Sequence, residues 1–381
     1  MIYFDNSATT KAWPEVIDTY AKVSENVWGN PSSLHKFGDK SFQLLEQSRK
    51  QIANLLAVNP DEIYFTSGGT EGDNWVIKGT AIEKSAYGKH LITSEVEHPA
   101  VRNSMEQLEK LGFEITYLPV DENGQVQIED LKAALRPDTI LVSIMAVNNE
   151  IGTIQPINEI AEVLKAYPKI QFHVDAVQGI AKNIWSQIFN ERVDFATFSG
   201  HKFHAPRGTG FIYAKRGRKL APLLTGGGQE KNQRSGTENV PAIAAMAKAL
   251  RMVLEQENQT SLNERNIKNK IIDHVKQFDK VVIFSKDNEK FAPHILCFAI
   301  QGVRGETIVH AFEEYDIYIS TTSACSSKKK MASSTLKAMQ VPDSISTSAI
   351  RISLGEENTM QEADKFIEAF DNLYQEFDRL S

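Results

Sequence analysis

An α/β fold, with a mainly parallel sheet wrapped by helices and a smaller α+β C-terminal domain, is what the sequence predicts from three observations. Short apolar runs alternate with helix-like segments from Ile63 to Ser199, and beyond about Gln256 the pattern changes to a long charged helix followed by further strands. The chain also has 381 residues, more than one typical domain.

Taken in order, Val16, Tyr20, Val23 and Val27 after Pro14 step by four, three and four, as one face of a helix requires. A second helix follows Asn30-Pro31, with Leu45, Ser48, Ile52 and Leu55/Leu56 on one side, and ends near Asn59-Pro60. Strands are then expected at Ile63–Thr66, His90–Thr93, Ile140–Val147, Ile170–Asp175 and Phe195–Ser199. Helices such as Val101–Leu111, closed by Gly112, and Ile157–Ala166, closed by Pro168, separate them, which is the pattern of a parallel sheet. After Gln256 the sequence predicts a helix Asn263–Phe278, strands Val281–Ser285 and Ile295–Ile300, a helix Thr307–Glu314 and a strand Ile317–Ser320. A strand Ala349–Leu354 and an amphipathic helix Met360–Leu380, with Phe366, Phe370, Leu373 and Phe377 apolar, close the chain. The stretch Thr321–Ser334 has no apolar period and reads as an exposed loop. Residues 14–256 thus form a large domain, and residues 1–13 with 257–381 a smaller one that carries this loop.

Lys plus Arg total 42 against 49 Asp plus Glu, a net charge of −7, which argues against nucleic acid or an anionic membrane as the main partner. Only Cys297 and Cys325 occur, so there is no disulfide framework, and the start MIYFDNSATT lacks the basic and apolar regions of a secretory signal. No apolar run approaches the roughly 20 residues that span a bilayer. A cytoplasmic globular protein is the expectation.

Ser67-Gly68-Gly69-Thr70 lies between a strand and a helix, where backbone N–H groups could receive a phosphate. It matches neither the P-loop nor the dinucleotide pattern, and a tight turn eased by its glycines accounts for it equally well. Asp175 ends a strand and Gln178 lies three residues on, at the sheet edge where open α/β folds bind ligands, although an Asp there can simply cap the next helix. Lys202 follows the strand Phe195–Ser199 and precedes the turn Pro206-Arg207-Gly208-Thr209-Gly210. Most lysines are solvated surface charges, but one at a strand's end in a polar, glycine-flanked loop can form a Schiff base. His201 and His204 are three apart, yet no Cys, Asp or Glu follows at a spacing that completes a zinc site, so no metal is expected.

These residues resemble the cysteine desulfurases of the NifS and IscS kind, fold type I pyridoxal-phosphate enzymes related to class V aminotransferases. The resemblance runs from end to end, through Tyr3-Phe4-Asp5-Asn6-Ser7-Ala8-Thr9-Thr10, Gly29-Asn30-Pro31-Ser32-Ser33, Phe65-Thr66-Ser67-Gly68-Gly69-Thr70-Glu71 and Glu95-Val96-Glu97-His98. It continues through Val147-Asn148-Asn149-Glu150-Ile151-Gly152, Asp175-Ala176-Val177-Gln178, Ser199-Gly200-His201-Lys202, Arg234-Ser235-Gly236-Thr237 and Ser323-Ala324-Cys325. It implies a seven-stranded sheet in the large domain.

The resemblance also implies the roles. Lys202 would hold pyridoxal 5'-phosphate, Asp175 would pair with the ring nitrogen, Gln178 would donate to the phenolic oxygen, and His98 would stack on the ring and shuttle protons. Gly69, Thr70, Ser199 and His201 would form the phosphate site, with Thr237 reaching the cofactor of the neighbouring subunit in a homodimer. Asn149 would lie beside cofactor and substrate, and Arg351 would take the substrate carboxylate. Cys325 would receive sulfur from L-cysteine as a persulfide, leaving alanine. Lys328–Lys330 would favour its thiolate, whereas Cys297 sits in an apolar run as a buried small hydrophobe. The sulfur would pass to an acceptor protein in tRNA thiolation, thiamine or iron–sulfur assembly. The basic run after Cys325 and the end of the chain at Ser381 favour a dedicated acceptor, such as a tRNA-thiolating enzyme, over an iron–sulfur scaffold. A selenocysteine lyase or a related lyase or aminotransferase is the competing activity, and it need not use a loop thiol.

Overall fold

The computed structural model describes residues 1–322 and 333–380. Its central sheet has seven strands in the order Ile63–Thr66, Gly210–Ala214, Phe195–Ser199, Gln171–Asp175, Thr139–Met145, His90–Ser94 and Glu114–Leu118. Gly210–Ala214 runs antiparallel to both neighbours, and all other pairings are parallel. The five strands between the two edge strands are buried at every position. Helices on both faces leave no solvent side, which is why these strands read as continuous apolar runs.

Gly210–Ala214 is the main addition to the sequence expectation, because its leading glycine and the preceding Gly208 read as turn. Gly208 has φ +79, so this turn needs a glycine to reverse the chain. The reversal folds Gly210–Ala214 back on Phe195–Ser199, and Lys202 therefore lies in the connection between two paired strands. On one face the helices Pro14–Asn26, Lys36–Leu55 and Val240–Glu255 pack around Val16, Leu45, Ile52 and Leu250, all nearly solvent-free. On the other, the helix Gly69–Lys84 lies so close to the sheet that a Cβ on Gly72 would meet the Thr197 methyl at 2.6 Å.

The C-terminal domain holds an antiparallel sheet in the order Ser320–Thr321, Ala349–Ser353, Ile295–Ile300 and Val281–Ile283. Helices Glu257–Val275, Gly305–Glu313 and Met360–Leu380 cover it. Phe298, Phe312, Phe366 and Phe370 form its core, with the Phe312 and Phe366 rings stacked at 4.7 Å. Phe4 joins this core, which ties the N-terminal residues to the far end of the chain.

Three boundaries differ from expectation. The charged helix begins at Glu257, directly after Gln256 caps the helix Val240–Glu255, because the polar first turn carries no apolar period that sequence could register. The single strand expected at Ile317–Ser320 is two: Ile317–Tyr318 pairs with Ile2–Tyr3, while Ser320–Thr321 joins the antiparallel sheet. The loop expected over Thr321–Ser334 is shorter at both ends, since Thr321 is in a strand and Ser333 caps the helix Ser334–Ala338 by accepting the Leu336 N–H at 3.0 Å. Cys325, with the rest of 323–332, lies outside the described residues. Among those described, no helix is long and apolar enough to cross a membrane.

Candidate active site

The strand Ile63–Thr66 passes into the helix Gly69–Lys84 through Ser67 and Gly68. Gly68 adopts φ 153 and ψ −176, a region essentially restricted to glycine. A Cβ on Gly69 would lie 2.8 Å from Val177 Cγ2 and 3.4 Å from Ser199 Cβ, so the helix N-terminus is drawn tightly against the ends of two sheet strands. Gly69 thereby faces the buried Ser199, and the exposed Thr70 follows it, at a helix end whose first N–H groups have no intrahelical acceptor.

Lys202 lies a short 3-10 turn after Ser199. Its Nζ donates to the Ser7 carbonyl at 2.5 Å and to the Ala8 carbonyl at 3.0 Å. Gln178 Nε2 donates to the same Ser7 oxygen at 2.9 Å. The N-terminal segment is held there by Thr10, whose N–H and hydroxyl both donate to the His201 carbonyl, at 2.9 and 3.0 Å. A small pocket opens beside Lys202, lined also by Asn6, Thr10, Gln178, His294 and Glu356.

Asp175 ends its strand with Oδ1 accepting the Val177 N–H at 3.0 Å. Burial lifts its carboxyl to about 6, against the pull of that hydrogen bond and of Lys202. Burial also lifts the neighbouring Glu97 to about 8 and holds Asp73 well above the usual carboxylate range. His173, between Ser143 at 2.8 Å and Thr197 at 2.9 Å, is pushed down to about 3 and is neutral. A cation placed at Asp175 would be the natural counter-charge of this acidic layer.

His98 caps the helix Pro99–Glu109, with Nδ1 accepting the Ala100 N–H at 3.1 Å. Burial, helped by the Lys202 charge, lowers it to about 4, so at neutral pH the ring is uncharged and its proton sits on Nε2. His201 is lowered to about 4 for the same two reasons in the same order, and its Nδ1 lies 3.2 Å from the Thr9 hydroxyl. The nearby His204 has both nitrogens committed, to the Lys11 carbonyl at 2.7 Å and to Glu356 at 2.6 Å.

Arg351 is 3% exposed on the strand Ala349–Ser353. It donates from Nη1 to the Asn149 carbonyl at 2.9 Å and from Nη2 to Asp5 at 2.8 Å. Its Nε is buried without a partner among the described residues. Thr237 is exposed and makes no described hydrogen bond to this group.

One chain thus brings together Gly69 and Ser199 at the helix N-terminus that Thr70 continues, Lys202 and Gln178 at the Ser7 carbonyl with His201 directly before the lysine, and Asp175 in its acidic layer. The cradle suits a phosphate, the lysine an aldehyde and the carboxylate a protonated ring nitrogen, so the donor set fits pyridoxal phosphate. Sequence reasoning missed the carbonyls of Ser7 and Ala8, the Asp5–Arg351 pair, and a bidentate pair between Glu71 and Arg234. All of these but Arg351 lie within the sequence blocks that carry the resemblance, which was the one available signal.

Comparison with known proteins agrees. The model of the family "Aminotransferase class-V" matches residues 2–366. A NifS/IscS protein homologue of Lactobacillus delbrueckii subsp. bulgaricus is 61% identical over 100% of this chain and 99% of its own. The cysteine desulfurase IscS of Methanosarcina thermophila is 40% identical over 100% of this chain and 93% of its own. The solved structure of a NifS-like protein superposes with a TM-score of 0.92 at 36% identity, over 98% of this chain and 99% of that one. The chain therefore belongs to the class V aminotransferase family, and within it to the pyridoxal-phosphate-dependent cysteine desulfurases of the NifS/IscS type.

Proposed function

We propose that this enzyme converts L-cysteine to L-alanine and carries the sulfur as a persulfide on Cys325. The observation that carries this reading is Lys202 Nζ held at the Ser7 and Ala8 carbonyls, beside the end of the strand that bears Asp175. Pyridoxal phosphate, when bound, supplies an electron-withdrawing ring that acidifies the substrate Cα–H. The chain supplies the rest. The helix N-terminus at Gly69 and Thr70, with Ser199 and His201, would hold the phosphate, and Asp175 would keep the ring nitrogen protonated. Gln178 would donate to the ring oxygen. Arg351 would seat the substrate carboxylate next to Asn149. Lys202 Nζ would take the Cα proton, and neutral His98 would hold or return a proton through Nε2. The Cys325 thiolate attacks the substrate sulfur, the C–S bond breaks, and the departing carbon skeleton takes up protons to become alanine.

The working unit is a homodimer in which Thr237 reaches the partner's phosphate. Its exposure supports this, as do the exposed side chains of Trp28 at 72% and Leu34 at 105%. Residues 14–256 act as the cofactor domain and residues 1–13 with 257–381 as the domain that carries Cys325. The acceptor is a protein of tRNA thiolation, thiamine or iron–sulfur assembly, in the cytoplasm. Sulfide and alanine should form in equal amounts from L-cysteine with a thiol reductant, and Cys325→Ser should remove nearly all of that while the protein keeps its yellow colour. Equal activity of parent and variant would end the persulfide reading.

A further inference from the structure

The candidate phosphate cradle contains a carboxylate. Glu71 sits in the first turn of the helix Gly69–Lys84, and its Oε2 accepts the Ser67 N–H at 2.8 Å, which closes the strand-to-helix turn. A carboxylate by itself suits a helix N-terminus, but here it occupies the same positive end that is to receive a phosphate, and like charges repel. Arg234 offsets this. Its Nε and Nη2 donate to the two Glu71 oxygens at 2.7 and 3.0 Å, and the side chains are only 20% and 11% exposed. Burial would raise the Glu71 carboxyl, but Arg234 and Ser67 hold it below the usual carboxylate range, so both charges are present at neutral pH.

Arg234 comes from a segment with a costly backbone: Glu230, Lys231 and Asn232 are all left-handed, with φ of 47, 58 and 65. Glu230 holds it in place by accepting Arg49 at 2.7 and 2.8 Å and the Phe65 N–H at 2.9 Å. Both anchors of the segment therefore end on the phosphate cradle, Glu230 on its strand and Arg234 on its helix. Thr237 lies three residues beyond Arg234 on the same segment.

We propose that Arg234 is a positioning residue for the cofactor phosphate: it neutralises Glu71, so that this carboxylate can shape the Ser67–Thr70 turn without repelling the anion, and it fastens the Thr237 segment to that turn. This rests on the pyridoxal-phosphate reading above. Glu71 organises the amides, Arg234 cancels its charge, and the N–H groups of Gly69 and Thr70 are left to set the affinity.

The test is a titration of the full-length apoprotein with pyridoxal phosphate and, separately, with pyridoxal, which lacks the phosphate. Arg234→Gln should weaken pyridoxal phosphate about tenfold or more while changing pyridoxal by no more than about twofold. Adding Glu71→Gln to that variant should bring pyridoxal phosphate back to within about threefold of the parent. Arg234→Lys, which keeps the charge but not the two-point contact, should fall between the parent and Arg234→Gln for pyridoxal phosphate and serves if the Gln variant does not fold. Equal weakening of both compounds, or a double variant no better than Arg234→Gln, would reduce Arg234 to a structural brace and overturn the proposal. So would a Lys variant that loses phosphate-dependent affinity outright. A parent that binds neither compound would instead overturn the pyridoxal-phosphate reading, and the proposal with it.

Discussion

At the carboxyl edge of the central sheet, Glu97 and Asp73 are buried with neutral hydrogen-bond partners: Ser94 and the Met145 amide for the first, Thr197 for the second. Between the sheet and the C-terminal domain, buried acids meet basic groups instead, Glu264 with Lys182 at 2.6 Å and Glu356 with His204 at 2.6 Å. The difference follows from what each region must do. Charges that hold two domains together can be paired within the chain, and so they are. Those around Asp175 stay protonated, which leaves Asp175 as the acid best able to ionise when a ring cation arrives. The first region would be completed by a ligand, whereas the second is paired within the chain.

The most severe way to break the first region is Lys202→Ala. The side chain that would hold the cofactor and move the substrate proton is then gone, while the carbonyls of Ser7 and Ala8 lose their ammonium donor. Alanine formation from L-cysteine should fall by about 10³-fold or more, and the purified protein should lose its yellow colour. A coloured, active variant would move the reaction centre away from this strand connection.

A smaller effect is expected from breaking the second region. Lys182 and Glu264 have side-chain exposures of 10% and 0%. Burial pushes the Glu264 carboxyl up to about 7 and by itself would lower Lys182, but Glu264, with Glu356 behind it, raises Lys182 overall. We take the pair as ionised at neutral pH because the contact is short and the second acid adds to the field at the ammonium. Lys182→Met would strand a buried carboxylate and should cost about 3 kcal/mol in denaturant unfolding, most of it recovered by adding Glu264→Leu. A loss below about 1 kcal/mol would mean that water already screens this contact.

How far the sequence could be read depended on the range over which each signal acts. Lys202 and Asp175 were legible because both sit where an apolar run stops, and a strand's end is a local pattern. Gly210–Ala214 was not, since its first residues carry the glycines of the preceding turn, and nothing local distinguishes a reversing strand from a longer loop. The Asp5–Arg351 pair joins residues 346 apart and Glu71–Arg234 residues 163 apart. Periodicity and capping report neighbours a few residues away, so such pairs become visible only once the Ile2–Tyr3 strand docks beside Ile317–Tyr318 and the 230–234 turn closes on the sheet. The resemblance pointed at those blocks without giving the contacts that make them matter.

The mildest prediction sharpens the comparison through pH. Folded, Glu97 keeps its proton up to about 8, whereas in the unfolded chain it releases it near 4.5. Across that window the unfolded state binds fewer protons than the folded one, so this residue makes stability fall as pH rises from 4.5 towards 8, and the effect levels off above. Glu97→Gln keeps an oxygen to accept from Ser94 Oγ and the Met145 N–H, now at 2.6 and 3.1 Å, while removing the titration. Its stability relative to the parent should therefore climb with pH, by on the order of 2 kcal/mol between pH 5 and pH 8 in denaturant unfolding of the apoprotein. If the Glu97→Gln difference were the same at both pH values, Glu97 would already be ionised in the folded chain. The acidic layer would then need a counter-charge of its own before any cofactor arrived.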